Sequence, residues 1–85
     1  MKLDNRIVEL IAIGASVTAN CQPCLQYHVD KALESGANDT EIAQAIEVAK
    51  MVRKGASAKM DKFASTISIT EPSNAGASAG GCGCS

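Results

Sequence analysis

The chain has 85 residues and a formal net charge of −1, with acids and bases interspersed. No segment supplies the positive field that a phosphate backbone needs, so nucleic acid is not an expected partner. Apolar residues make up 46% of the sequence, yet there is one Phe, one Tyr and no Trp, so a core must come from Ala, Ile, Val and Leu, side chains suited to closely packed helices. So short a chain buries a low fraction of its surface, and the simplest remedy is to bury helices against other copies; a homo-oligomer is expected.

The opening Met-Lys-Leu-Asp-Asn-Arg lacks the uncharged h-region of a secretory leader. The apolar run Ile7 to Val17 carries Glu9 and is too short to span a bilayer, which predicts a soluble, cytoplasmic protein with no membrane partner. Asp4 suits the N-cap of a first helix over about 5–18, closed by Asn20, with Ile7, Leu10 and Ile11 near helical spacing. A second helix should start at Cys21 or Gln22, because Pro23 is tolerated only in a first turn, and should stop before Gly36. Asn38 and Glu41 form a capping-box pattern for a third helix, with Ile42, Ala45, Ile46, Ala49 and Val52 on one face. Gly55, beside Arg53 and Lys54, predicts a break or kink, after which Ala56, Met60, Phe63, Ala64 and Ile67 make a fourth helix. The expected fold is therefore an all-α domain over 1–69. A tail over 70–85, rich in Gly, Ser and Ala and ending in Cys82-Gly83-Cys84-Ser85, has too little apolar surface to order itself.

Four cysteines in a chain without a leader point to redox chemistry or metal binding rather than a secreted disulfide framework. On a helix beginning near Cys21, Cys24 and His28 share a face and Cys21 lies one turn before Cys24. That spacing permits a reversible disulfide, one thiol attacking and the other resolving. The helix dipole favours thiolate at Cys21, whereas an imidazole one turn away can take the proton of Cys24; on the second ground attack is assigned to Cys24 and resolution to Cys21. No organic cofactor is required.

Glu9 followed by Cys21-x-x-Cys24-x-x-x-His28 resembles the AhpD-like branch of the carboxymuconolactone decarboxylase superfamily, over roughly Asp4 to Ile67. The resemblance implies an all-α fold in a trimer or hexamer. It also implies that Glu9 relays protons with His28, that His28 activates Cys24, and that Cys21 closes the disulfide, with a peroxide or a disulfide as substrate and a thiol electron donor. Pro23 stands where the alkylhydroperoxide reductase member has a histidine, so that member's own relay and donor do not carry over. The decarboxylases of the superfamily lack paired cysteines, which points away from decarboxylation.

Plainer readings stand beside these. The alternative function is a soft metal or metalloid binder, in which the cysteines, with or without His28, are closed by Cys82 or Cys84 as a further ligand. Glu9 would then face solvent or pair with Arg6 one turn earlier. Tyr27 reads as a packing residue, Met51, Met60 and Phe63 as core or subunit interface, and Lys50, Arg53, Lys54, Lys59, Asp61 and Lys62 as a solvated face. Cys82 and Cys84 are a second thiol pair that could exchange electrons with the first or grip a soft ion.

Overall fold

A computed structural model describes residues 2–67, so the domain limit at 69 and the tail with Cys82 and Cys84 lie outside the described residues. Among the described residues there are three helices and no strand: α1 (Asn5–Thr18), α2 (Gln22–Glu34) and α3 (Asp39–Ala64). The chain is all-α. Each start has a local cause. Asp4 accepts from the Ile7 amide at the head of α1, and Cys21 caps α2 with Pro23 in its first turn. Asn38 and Glu41 close a complete capping box on α3, each side chain accepting from the other's backbone amide, at 2.8 and 3.2 Å.

The stops are equally local. At the end of α1 the Asn20 amide donates to the Val17 carbonyl and the Cys21 amide to that of Ser16, both at 3.0 Å, while Asn20 takes the left-handed conformation with φ 58. This is a Schellman closure. Gly36, with φ 97, makes the same turn after α2, the Ala37 amide reaching the Ala32 carbonyl at 2.9 Å.

α1 packs against both other helices. The core is small: Ile13, Ala32, Ala37 and Ile42 are buried, with Leu10, Leu25, Val29, Ala45 and Ile46 packed around them. Burying a side chain the size of Ile13 is worth about 1.5–3 kcal/mol, so a core of this size leaves little margin. An Arg6–Glu41 ion pair at 2.6 Å joins α1 to the first turn of α3.

The structure corrects one expectation and narrows another. Residues 39–64 form one unbroken helix, so the break at Gly55 and the separate fourth helix do not exist. A glycine inside a helix costs only about 1 kcal/mol relative to alanine, and a good cap with 26 helical residues absorbs that. Of the two places expected for Met51, Met60 and Phe63, core or subunit interface, the core is excluded, since all three are more than half exposed.

Candidate functional site

The site is built at the junction of α1 and α2. Cys21 is both the residue that closes the Schellman turn of α1, through its amide, and the N-cap of α2, through its sulfur, which accepts from the Cys24 amide at 3.3 Å. Two helix ends thus fix one cysteine. Its position is secured from a third side by Arg53 of α3, whose Nη1 donates to the Val17 carbonyl at 2.9 Å and to Asn20 Oδ1 at 3.0 Å. Arg53 therefore leaves the solvated face to which its neighbours belong. Sequence reading missed it because its partners lie 33 and 36 residues away.

Cys21 and Cys24 are joined as a disulfide, with Cα atoms 5.3 Å apart. Of the two residues Cys24 is exposed and Cys21 half-buried. A small cleft of about 220 Å³ lies beside Cys21, walled by Ser16, Val17, Leu25 and Arg53 among others.

One turn beyond Cys24 on α2 stands His28. Its Nδ1 lies 2.7 Å from Glu9 Oε1 on α1, with the two side chains 29% and 19% exposed. An ionised carboxylate can only accept, so Nδ1 carries the proton and Nε2 of the neutral ring is left as an acceptor. Tyr27 meets the His28 ring edge-on, with centroids 5.0 Å apart, and Lys31 sits 5.8 Å from the Tyr27 centroid. Tyr27 itself is 56% exposed, so it is not packed into the core as a packing residue would be. Glu9 does not pair with Arg6, which is engaged by Glu41.

The structure joins the predicted site residues two by two, Cys21 with Cys24 at the start of α2 and Glu9 of α1 with His28 of α2. Among the described residues no group of three or more His, Cys, Asp or Glu side chains is placed to hold a metal ion. Nor is any described helix long and apolar enough to cross a membrane.

Comparison with known proteins bears on this geometry. "Uncharacterized protein 4 in cox locus" from Paracoccus denitrificans is 39% identical over 54 residues, which is 64% of this chain and 49% of that protein. The chain thus spans about half the length of this curated relative. No solved structure matches. The sequence model of the carboxymuconolactone decarboxylase family matches residues 1–65, which takes in all three helices and both bonded pairs, and the chain belongs to that family.

Proposed function

We propose that the chain is a thiol–disulfide oxidoreductase of the AhpD-like kind, reducing a peroxide or a disulfide while Cys21 and Cys24 pass between dithiol and disulfide. The observation that carries this reading is the Glu9–His28 pair set one helical turn after Cys24, the exposed residue of a CxxC disulfide. In the reduced protein His28 Nε2 takes the Cys24 proton, Glu9 holding the ring in the tautomer that allows it. The Cys24 thiolate attacks one peroxide oxygen, the O–O bond breaks, and the departing alkoxide is protonated to an alcohol. Cys24 is left as a sulfenic acid. The Cys21 thiol then displaces its hydroxyl as water and the disulfide closes. Two thiols and one hydroperoxide give one disulfide, one alcohol and one water. With a disulfide substrate the same attack gives a mixed disulfide that Cys21 resolves.

Re-reduction runs through the same geometry. A thiolate of an external dithiol donor attacks the Cys24 sulfur and expels Cys21 as a thiolate, which the Cys24 amide and the positive end of α2 stabilise. The donor's second thiol then releases Cys24. The homo-oligomer expected from composition belongs to this proposal, as does the absence of an organic cofactor.

The test is iodoacetamide mapping of the reduced, metal-free chain against pH, with the Cys21–Cys24 disulfide measured after one equivalent of an organic hydroperoxide. Cys24 should alkylate ahead of Cys21 at neutral pH and the disulfide should form. If both thiols titrate as free cysteines do, near pH 8.5, and hydroperoxide leaves them reduced, the redox reading fails and soft-metal binding becomes the better account.

A further inference from the structure

The face of the molecule away from α2 carries a long open apolar groove, walled by Ile7, Ile11 and Ala15 of α1 and by Val48, Ala49 and Val52 of α3. No described residue covers it: Ile11, Val48 and Val52 are each 57% exposed. The same helix also runs on past the rest of the fold. Every residue from Lys54 to Ala64 is exposed, and this overhang carries Ala56, Met60 and Phe63. At 100° per residue these three fall on the same side of α3 as Ala45, Ala49 and Val52, so one stripe forms the groove wall in its first half and an unpartnered ridge in its second.

We infer that the groove is covered by a second copy of this chain, its α3 running antiparallel, so that the overhang of each copy lies in the groove of the other. Three features favour this occupant. The lengths match, since at 1.5 Å per residue the overhang from Lys54 to Ala64 is about 15 Å long and the α1 wall from Ile7 to Ala19 about 18 Å. The surfaces match, because the ridge and the groove wall are one stripe, and a twofold axis brings donor and acceptor together twice in a self-complementary contact. The charges match as well. From Asp39 to Ala49 α3 carries Asp39, Glu41 and Glu47 and no base, whereas from Lys50 to Ala64 it carries five bases and the single acid Asp61. Antiparallel pairing sets the basic end against the acidic end, and parallel pairing would set like against like.

The pairing is independent of the redox reading, because Cys21 and Cys24 lie at the α1–α2 junction and neither lines the groove. It also bears on the assembly: a twofold pair is a unit that a hexamer contains and a trimer lacks.

The test uses the full chain. Native mass spectrometry and sedimentation at micromolar concentration should show an even number of copies. Phe63→Glu on the ridge and Val52→Glu in the groove should each weaken association about tenfold or more, by burying a charge at an apolar contact. Both positions are exposed in the single chain, so helical circular dichroism should be retained. Zero-length carbodiimide cross-linking of mixed isotopically labelled and unlabelled copies should join Lys59 or Lys62 of one copy to Asp39, Glu41 or Glu47 of the other. A monomeric wild type, an odd number of copies, assembly unmoved by either substitution, or inter-copy links from Lys59 or Lys62 to Asp61 in place of the acidic end would each overturn the inference. A monomer would leave the groove to another occupant, residues 68–85 among them.

Discussion

Replacing Glu9 with Gln separates orientation from charge at the candidate site. The side chain keeps its length, so packing between α1 and α2 is little disturbed, while the 2.7 Å contact to His28 Nδ1 loses its ionic acceptor. A hydrogen bond to a charged group contributes about 1.5–3 kcal/mol. With the two side chains 19% and 29% exposed, screening by solvent reduces that to about 1–2 kcal/mol, which is roughly 5- to 30-fold in rate. The amide can also turn its NH₂ toward Nδ1, which selects the tautomer protonated at Nε2 and removes the acceptor for the Cys24 proton. Loss of a nearby negative charge acts in the opposite direction, since by itself it favours a thiolate. The sign therefore discriminates. The assay is the second-order rate of Cys24 alkylation by iodoacetamide at neutral pH in the pre-reduced chain, with His28→Ala beside it and helical content checked in both. Both variants should slow Cys24. A faster Glu9→Gln would mean that Glu9 acts only through its charge, and unchanged rates in both would remove the pair from the mechanism.

Cys21→Ser should leave Cys24 open to alkylation and keep the α2 cap, because a serine hydroxyl is a good N-cap. Hydroperoxide should then give a Cys24 sulfenic acid that dimedone traps, and a trapped product at any other residue in place of Cys24 would count against the assignment of attack. Arg53→Ala removes both bonds to the Val17 carbonyl and Asn20, at a cost of about 1–3 kcal/mol. The denaturant midpoint should fall, and hydrogen exchange should quicken at the Cys21 amide more than at the capping box of α3; equal changes at both would mean that Arg53 does not hold the turn. Gly55→Ala should raise stability by about 0.5–1 kcal/mol, because an added Cβ meets nothing within 4 Å and the backbone is helical. A lower melting temperature would show that α3 needs the freedom of a glycine there.

The parts of the fold legible in the sequence are those set by neighbours along the chain. Asp4, Pro23 and the Asn38–Glu41 box act within one turn, and each helix start follows from them. Gly55 misleads because a glycine signals a stop only where the chain needs a left-handed turn. Gly36 makes such a turn at φ 97, and no such angle occurs at Gly55. The pairing of charges is another matter. Arg6 and Glu9 stand one turn apart and suggest each other, yet Arg6 reaches across to Glu41 and Glu9 to His28, over 35 and 19 residues. Only the packing of three helices decides that. Spacing put Cys21, Cys24 and His28 on one stretch of helix, but Glu9 was reachable only through family resemblance, and Arg53 carried no local signal at all.

The distribution of work over α1 explains a feature that puzzles in the sequence alone, a helix apolar nearly all round with a single acid from Ile7 to Val17. One side supplies Leu10 and Ile13 to the core, another supplies Ile7, Ile11 and Ala15 to the open groove, and Glu9 occupies the side toward His28 on α2. A helix with only one buried face would need a broad polar surface, and this one has two apolar faces with a polar position between them. Chemistry and assembly therefore use different sides of the same helix. A charge placed at Ile11 should dissolve the assembly yet leave the alkylation of Cys24 unchanged, whereas loss of the Glu9 acceptor should slow the thiol and leave the number of copies as it was. If both properties moved together in either variant, α1 would be transmitting between the two sides, and the site would depend on the assembly rather than merely sharing a helix with it.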